Sequence, residues 1–544
     1  MSANEHDRQL AAVERLNEIG IALSKEHDED RVLELILRGA KDLTRADGGT
    51  IYSVVDDQAL RFRLLRTDSL GLAHGGSGAP IASFPDIPLY IAGAPNHSSV
   101  VAHAVLERTT VVIDDAYTQQ AFDFSGTRAF DARTGYRSTS MLTVPMRDHR
   151  NDIIGVLQLL NAQDDAGAIT AFSPHQVRLV ESLASQASML LSNGALARQV
   201  GALFESFVKL IAGAIDEKSP YTGKHCRRVP PLTMALAEAA HRQDDGPLAD
   251  FSMSDDDRYE LHIASWLHDC GKITTPEWVM DKATKLQGIH DRLHDIRTRA
   301  AVIRLSIHHQ AERDIAAGAS PSEVRQRESA DLADLEDDLA VLERCNQGGE
   351  WMDDASIARI HAIAQRTWPD HTGQQQAFLH PAEIENLCIR KGTLLPAERA
   401  IINHHIVATI DMLEQLPFPR HLRNVPEIAG GHHERMDGTG YPRGLRRENM
   451  SVQARCMGIA DVFEALTASD RPYKRAMPLS QALAILADMS TSGHIDPDLF
   501  SIFIAEGVWL DYAHEHLDAS QIDIDLPSAR ARFVGASDTC AESP

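Results

Sequence analysis

The sequence lacks any long apolar segment, and its cysteines are few and scattered. The best candidate for a bilayer span, "SLASQASMLLSNGALA", is too rich in Ser, Gln and Asn to cross a membrane. The first ten residues, "MSANEHDRQL", are charged and contain no apolar core of a signal peptide. The six cysteines include no close pair typical of a zinc knuckle or a disulfide framework. We therefore expect a reduced, cytoplasmic protein that does not bind membranes.

Positive charge is also in short supply. The chain has 53 Lys and Arg residues against 78 Asp and Glu residues, which gives a formal net charge of −25. Such a surface repels polyanions, so we expect no direct binding to DNA or RNA. A small anionic ligand can still bind where a few cations converge.

The 544 residues are too many for one hydrophobic core, and the first third differs in pattern from the rest. Residues from about 12 to 45 predict two helices. Strands are predicted at "TIYSVV", "RFRLLRT", "TTVVIDD", "SMLTVPMRD" and "DIIGVLQLLNA". Helices flanking an antiparallel sheet indicate an α+β module, which we place at residues 12–192.

This module resembles a GAF domain, chiefly through "SMLTVPMRDHRNDIIGVLQLLNAQ" and "AFSPHQVRLVESLASQA". GAF domains that bind cyclic nucleotides carry an Asn-Lys-Phe-Asp-Glu set. Asn161 and Phe172 match that set, but Ala162, Gln176 and Val177 replace its other members. The resemblance implies a sensory domain with a small-molecule ligand that the sequence does not identify, and it argues against a cyclic nucleotide. The module has no cysteine, which excludes thioether attachment of a bilin.

A long helix is predicted from about residue 175 to residue 215. Its apolar positions have the spacing of a packed seam, and they are Val177, Val180, Leu183, Ala187, Leu190 and Leu191. One interpretation is that the last helix of one domain runs into the first helix of the next. We favour the other, in which residues 193–215 link the domains and the helix pairs with a second copy in a homodimer.

Beyond residue 215 helical patterns dominate to about residue 517, and five fragments carry chemically active side chains. They are "SPYTGKHCRRV" with His225, "SWLHDCGK" with His268, Asp269 and Lys272, "AERAIINHHIVATIDML" with His404 and His405, "HHERMDGTGYP" with His432, His433 and Tyr441, and "MGIADVFEALTASDRPYK" with Asp461, Arg471 and Lys474. Each fragment alone is a weak signal.

In combination, imidazoles and carboxylates on several helices can meet in a bundle core, where polar groups are costly unless they bind something. A carboxylate flanked by imidazoles suits Mn, Fe or Zn better than Ca. One Asp can bridge two cations, and a pair of cations favours attack on phosphorus.

The motifs "HDCGK", "HHERMDGTGYP" and "ADVFEALTASDRPYK" closely resemble, in order, those of the HD-GYP class of HD-superfamily phosphohydrolases. The resemblance implies an all-α domain at residues 216–515 that hydrolyses cyclic di-GMP to pGpG, and more slowly to GMP, through a hydroxide that bridges two metals. It implies two divalent transition-metal ions, Fe or Mn, with Zn as the alternative.

The family motifs also assign roles to individual residues. The metal ligands implied by the resemblance are His225, His268, Asp269, His405, His432, His433 and Asp461. Asp269, the bridging ligand, and Lys272 are implied to be catalytic, while Lys272, Tyr441, Arg471 and Lys474 are implied to hold substrate. His404 would point away from its neighbour, so we place it at the surface or behind the ligands.

The sequence departs from the family at three places. Tyr221 stands where members with three metals have a glutamate, so we expect two metals, with Asp216 or Glu217 as less favoured substitutes. Thr409 replaces a glycine after His405. An insertion at about residues 287–390 predicts a structural helical hairpin or, alternatively, a lid or partner-binding surface. The tail, residues 516–544, shows no strong pattern.

Two other functions remain open from the sequence. One is hydrolysis of another cyclic dinucleotide, 3′,3′-cGAMP, because nothing in the motifs reads the base edges. The other is a catalytically weak cyclic-dinucleotide receptor or scaffold, which recruits a protein partner through the loop formed by Gly440, Tyr441 and Pro442.

Overall fold

A computed structural model describes most of the chain in two compact units, Met1–Leu203 and Phe204–Pro544. The described residues are 3–26, 28–81, 84–218, 224–349, 351–468 and 477–534, with side chains from residue 10 onward. Among them, no helix has the length and apolar character needed to span a bilayer.

The N-terminal unit is built on one antiparallel sheet. Its helices are α1 (Ala3–Lys25), α2 (Glu29–Thr44), α3 (Val100–Leu106), α4 (Ser125–Thr134) and the first part of α5 (Pro174–Lys218). Its strands are β1 (Ala46–Val55), β2 (Ala59–Thr67), β3 (Leu72–His74), β4 (Ile87–Pro88), β5 (Tyr90–Ile91), β6 (Ala94–Pro95), β7 (Val111–Ile113), β8 (Met141–Arg147), β9 (Ile153–Gln163) and β10 (Ile169–Thr170). The main path of the sheet is β3-β2-β1-β9-β8-β7, and all five predicted strands lie in it.

One face of this sheet packs against α1, α2 and α5. Leu157 of β9 lies opposite Ile51 of β1 and Val144 of β8, and all three side chains are buried in the same core. A side chain at Gly49 would begin 2.6 Å from the Cδ1 atom of Leu37. Glycine at this position therefore lets α2 lie directly on β1.

Helix α5 differs from the sequence prediction in the face that it exposes. Val180, Leu183 and Ala187 are fully buried in the N-terminal core, and Val177, Leu190 and Leu191 pack against that core. The seam that we assigned to these residues is therefore wrong, because the spacing reflects packing within the unit. The exposed apolar side chains of this part of α5 are Met189, Leu196, Val200 and Leu203.

The described residues of the C-terminal unit are helical apart from loops and one small hairpin. Its elements are the end of α5, α6 (His225–His241), α7 (Asp255–Leu267), α8 (Glu277–Met280), α9 (Leu293–Ala316), α10 (Pro321–Asn346), α11 (Asp354–Ile363), β11 (Thr367–Pro369), β12 (Gln375–Ala377), α12 (Pro381–Leu387), α13 (Pro396–Glu414), α14 (Val425–Gly430), α15 (Val452–Thr467), α16 (Leu479–Thr491), α17 (Pro497–Ala505), α18 (Val508–His516) and α19 (Leu526–Phe533). The β11–β12 hairpin was not expected from the sequence.

The main core of this unit surrounds α6, α7 and α15. Phe463 of α15 is fully buried, and its ring lies 5.1 Å from that of Phe503 and 5.7 Å from that of Tyr512, measured between centroids. The Ser254 side chain accepts a hydrogen bond from the Asp257 amide and so fixes the start of α7. These contacts determine where α7 and α15 present their polar residues.

The insertion is more than the helical hairpin that we expected. Helices α9 and α10 do pair, but α11, α12 and the β11–β12 hairpin join them around a separate core that includes Leu335, Ile360 and Phe378, all fully buried. The chain enters and leaves this subdomain at one place, since Thr393 Oγ1 donates to the carbonyl oxygen of Lys282 at 2.8 Å.

Two lysines fasten the base of the insertion. Lys282 Nζ donates to both carboxylate oxygens of Glu398 on α13, at 2.8 Å each. Lys285 Nζ donates to the carbonyls of Leu387 and Ile389, at 3.1 and 2.7 Å, and so satisfies the end of α12. Burial lowers the pKa of Lys285.

Part of the tail also belongs to the core of the C-terminal unit. Helix α19 begins where the Asp525 side chain accepts a hydrogen bond from the Ser528 amide, and its Ala529 is fully buried. Gln521 Nε2 donates to the carbonyl of Thr467 at 2.9 Å. A helix this short, with little apolar character, left no pattern that we recognised in the sequence.

Candidate metal centre

The His268-Asp269 pair lies where α7 ends. His268 follows the last residue of the helix, and Asp269 precedes the 3₁₀ turn Cys270–Thr274. A side chain at Gly271 would begin 2.0 Å from the carbonyl oxygen of His405, so glycine is needed for this turn to contact α13. Thr409 Oγ1 accepts a hydrogen bond from the Gly271 amide at 2.9 Å, so the threonine that departs from the expected motif is used to hold this turn.

All seven predicted metal ligands lie together in the C-terminal unit. They form two groups, each with its ligand atoms within 4.8 Å of one another: His225, His268, Asp269 and Asp461 in the first, and His405, His432 and His433 in the second. The fold thus brings together the predicted side chains, which come from α6, the end of α7, α13, α15 and the loop after α14. Their role as ligands remains a proposal.

The Asp269 carboxylate connects the two groups. Its Oδ2 atom lies 3.3 Å from His225 Nε2 and 3.2 Å from His268 Nε2. Its Oδ1 atom lies 3.3 Å from His405 Nε2, although no hydrogen bond forms there. Asp461 Oδ1 lies 3.1 Å from His225 Nε2 and closes the first group.

Backbone carbonyls orient three of the imidazoles. A carbonyl oxygen can only accept, so the Nδ1 atom in each pair must donate and Nε2 is left facing the cluster. The pairs are His268 with Ser265 at 2.7 Å, His405 with Ile402 at 2.5 Å and His432 with Ala429 at 2.6 Å. Each carbonyl belongs to the residue three positions earlier.

The charge states of these groups suit a cation. Burial and the neighbouring imidazoles hold the pKa of His432 well below its ordinary value, and burial lowers the pKa of His433 to about 4. Burial would raise the pKa of Asp269, but the charges of Lys272 and His268 outweigh it and hold that pKa well below its usual range. The neutral imidazoles of His432 and His433 have the lone pairs that a transition metal requires. At His225 the carboxylates of Asp269, Asp461 and Glu464 outweigh burial and raise the pKa well above its ordinary value, so a cation that binds there would displace a proton.

Two buried atoms of the cluster have no hydrogen-bond partner among the described residues, His432 Nε2 and Asp269 Oδ1. An unpaired buried polar atom costs about 1–3 kcal/mol. A divalent cation would satisfy both, so the residues fit a metal site of the Fe, Mn or Zn type.

The predicted substrate-binding residues are only partly described. Lys272 Nζ donates to Asp269 Oδ2 at 2.5 Å, so its charge is at the cluster. The Tyr441 ring stacks on His433 with centroids 4.9 Å apart, and burial raises the pKa of its hydroxyl to about 12. Arg471 and Lys474 lie outside the described residues, as does Tyr221.

The remaining polar residues near the site are placed as follows. His404 is exposed and is not part of the cluster. Asp216 is buried, with Oδ1 accepting from the Cys226 amide at 3.3 Å, and burial raises its pKa. Glu217 is exposed. Glu464, which sequence reasoning missed, contacts His225 from behind, and its spacing of three residues from Asp461 could have indicated a shared helix face.

A cavity of about 340 Å³ lies within the N-terminal unit. Its wall combines apolar side chains, among them Leu33 and Met146, with charged ones of both signs, and Glu29 pairs there with Arg63 and Arg198. Apolar walls with a few charged groups are typical of small-molecule pockets of this size.

Asn161, one of the two matches to the cyclic-nucleotide set, has a structural role. Its Oδ1 atom accepts from the Thr139 amide at 2.7 Å, and its Nδ2 atom donates to the Arg137 carbonyl at 2.8 Å. Its backbone adopts a left-handed conformation, with φ of 57°. The side chain therefore braces the segment that leads into β8.

Family comparisons agree with this division. A family model described as "GAF domain" matches residues 26–192, and one described as "HD domain" matches residues 375–499. The chain combines a GAF domain with an HD domain. The predicted fold class, α+β followed by helical, is confirmed. Four of the predicted ligands lie within the matched HD residues, whereas His225, His268 and Asp269 precede them.

Curated relatives of part of this chain are named as cyclic-dinucleotide phosphodiesterases. The chain is 38% identical over 152 residues to a 3′3′-cGAMP-specific phosphodiesterase of Vibrio cholerae, which covers 27% of this chain and 31% of that relative. It is 39% identical over 103 residues to a cyclic di-GMP phosphodiesterase of Pseudomonas aeruginosa. That alignment covers 19% of this chain and 24% of the relative. The chain therefore spans about a third or less of the length of these relatives.

One of the solved structures is similar to part of the chain. It is that of a GAF domain/HD domain protein from Geobacter sulfurreducens, and the aligned sequences are 20% identical. The match covers 32% of this chain and 98% of that chain, with a TM-score of 0.23.

Proposed function

We propose that the HD domain is a metal-dependent phosphodiesterase that opens cyclic di-GMP to linear pGpG, with slower cleavage to GMP. The observation that carries the proposal is the Asp269 carboxylate, which faces imidazoles of both groups with a different oxygen. One carboxylate placed between two sets of imidazoles suits a pair of cations, and paired cations favour displacement at phosphorus.

The seven clustered side chains would hold two divalent transition-metal ions, Fe or Mn, with Zn as the alternative. Such ions supply Lewis-acid stabilisation of a phosphate and lower the pKa of bound water. Lys272 would neutralise charge that develops on the phosphoryl oxygens. Tyr441 would border the substrate beside His433, and Arg471 and Lys474 are proposed as further phosphate contacts on the sequence motif alone.

A second substrate, 3′,3′-cGAMP, stays in the proposal because one of the matched relatives is named for it.

We expect the chain, purified without oxygen and analysed for metals, to hydrolyse cyclic di-GMP when Fe²⁺ or Mn²⁺ is restored. Rates for the two dinucleotides, measured side by side by chromatography of the products, determine the preference. A metal-loaded chain that binds either dinucleotide without turnover would contradict hydrolysis and favour the receptor function.

We further propose that the chain forms a homodimer through an exposed stripe on α5. The stripe consists of Met189, Asn193, Leu196, Val200 and Leu203, at alternating intervals of four and three residues. These intervals define a heptad with Leu or Met at d and with Val200 and Asn193 at a, a pattern that favours two parallel strands. Asn at a fixes the register, because it pairs best with the same Asn of a second copy.

The extent of the stripe supports this pairing. Its apolar side chains are between 48% and 58% exposed, and the spacing continues in the sequence at Phe207 and Leu210. Two such helices would bury on the order of 1,200 Å² in total, at the lower end of the range for stable interfaces.

A charge in the stripe is expected to separate the dimer. Leu203→Asp places a carboxylate at a d position, where a partner helix would bury it, and we expect the chain to become monomeric in sedimentation equilibrium. Ala202→Asp adds the same charge at an outward position and is expected to leave the dimer unchanged. A Leu203→Asp chain that sediments as the dimer would contradict this interface.

The remaining assignments are also proposals. We place a small-molecule ligand in the 340 Å³ cavity of the GAF domain, whose wall carries charged groups of both signs. The loop of Gly440, Tyr441 and Pro442 is proposed to contact a protein partner. The domain limits, 12–192, 193–215, 216–515 and 516–544, stay predictions.

A further inference from the structure

Glu464 is a buried carboxylate directly behind the metal cluster. It lies on α15, three residues after Asp461, and is 1% exposed. Its Oε2 atom accepts from His225 Nδ1 at 2.5 Å, and its Oε1 atom accepts from Arg228 Nε at 2.6 Å. Both carboxylate oxygens are therefore engaged, one of them by a residue of the cluster.

The Nδ1 atom of His225 contacts a side chain, whereas three of the other imidazoles use a backbone carbonyl. His268, His405 and His432 each donate from Nδ1 to the carbonyl three residues earlier. Helix α6 begins at His225, and residue 222 is not among the described residues. Glu464 supplies an acceptor for Nδ1 from a different helix.

The contact determines which nitrogen of His225 can bind a cation. A carboxylate accepts the Nδ1 proton, so Nε2 is the nitrogen that faces the cation site. That Nε2 atom lies 3.1 Å from Asp461 Oδ1 and 3.3 Å from Asp269 Oδ2, inside the first group of ligands. Partners of this kind orient metal-binding imidazoles and increase their basicity.

We propose that Glu464 is a positioning residue, which holds the His225 ring so that Nε2 completes the cation site formed with His268, Asp269 and Asp461. Arg228 holds the other carboxylate oxygen and keeps Glu464 from rotating away from the ring. The inference rests on the proposed metal centre. It adds a residue and a mode of action that the motif assignments do not contain.

The test is the metal affinity of Glu464→Gln in the full chain. Glutamine has the same size but lacks the charge that favours an Nδ1 proton on His225. We expect calorimetric titration of the metal-free chain with Mn²⁺ to show one site weakened by roughly 10–100-fold and the other nearly unchanged, which is the usual effect of losing such a partner. Elemental analysis after dialysis should then give about one metal per chain in place of two.

Glu260→Gln is the matched control. Glu260 is also buried in the C-terminal unit, and its two oxygens accept from the amide and the side chain of Asn424 at 2.6 and 3.0 Å, away from the cluster. We expect it to lower the melting temperature without changing the Mn²⁺ titration. Equal losses of metal in both variants would overturn the positioning role, because they would indicate a general effect of unfolding.

A second comparison tests whether Glu464 acts through His225. Metal binding by Glu464→Gln combined with His225→Ala should be no weaker than by His225→Ala alone, since the carboxylate then has no ring to hold. If Glu464→Gln does not fold, Arg228→Gln serves in its place and should weaken the same site to a smaller degree. Unchanged Mn²⁺ affinity in a folded variant overturns the inference.

These outcomes separate the inference from the proposed function. If the unmutated chain and the Glu464→Gln chain both bind two metals and cleave the dinucleotide, only the proposed role of Glu464 is contradicted. An unmutated chain that binds no Mn²⁺, Fe²⁺ or Zn²⁺ removes the metal centre itself.

Discussion

Asp269→Asn is expected to abolish hydrolysis of cyclic di-GMP and to reduce bound metal strongly. Asn has the size of Asp but offers one carbonyl oxygen and no charge. The side chain could then no longer face both groups of imidazoles with anionic oxygens. Loss of an outer partner alone typically costs 10–100-fold, so we expect a fall in kcat of at least roughly 100-fold. Product chromatography and elemental analysis of the same sample measure the two effects.

Asp411→Asn is the control for this substitution. Asp411 lies on α13, the helix that carries His405, but its side chain is exposed. We expect its activity and metal content to equal those of the unmutated chain. Full activity in Asp269→Asn, in protein free of contaminating hydrolase, would remove the proposed mechanism.

Phe463→Ala is expected to destabilise the C-terminal unit by about 3–5 kcal/mol, the usual cost of replacing a buried Phe with Ala. The Phe463 side chain is fully buried between Phe503 and Tyr512, and the helices around it cannot easily close the space. Urea unfolding followed by tryptophan fluorescence is a selective measurement, because all five tryptophans lie beyond residue 265. The midpoint should move to lower urea concentration with little change of slope.

The matched control is Leu416→Ala, in the same unit but 45% exposed. We expect its unfolding free energy to stay within about 0.5 kcal/mol of the original, as for most surface substitutions. Equal stabilities of the Phe463 and Leu416 variants would show that α15 is not anchored through the aromatic cluster.

Most of the metal centre could be predicted from the sequence because its side chains belong to recognisable local motifs. The residues from His225 to Asp461 are far apart in the chain, but each lies in a short pattern whose order is informative. The paired histidines His432 and His433 are one such pattern. The proximity of their imidazoles to the Asp269 carboxylate then follows from the packing of helices in one core.

Contacts between side chains on different helices could not be predicted in the same way. Glu464 contacts His225 across 239 positions of sequence, and no local pattern encodes that pair. The α5 seam was misassigned for a related reason. Apolar spacing alone does not distinguish a face that packs on its own domain, such as Leu183, from one that is exposed, such as Leu196.

The insertion was recognised by its length, but its internal core was not. Ile360 lies on α11 and Phe378 follows β12, and their association depends on tertiary packing. The β11–β12 hairpin has only three residues in each strand, which is too short for a reliable alternating pattern.

The hydrogen bond between Thr393 and Lys282 has a consequence for how such a chain can diversify. The two ends of the inserted subdomain lie side by side. The subdomain can therefore be enlarged, exchanged or lost while the surrounding helices keep their positions. A protein arranged in this way can gain a new module between the segments that carry its clustered side chains without rebuilding that cluster.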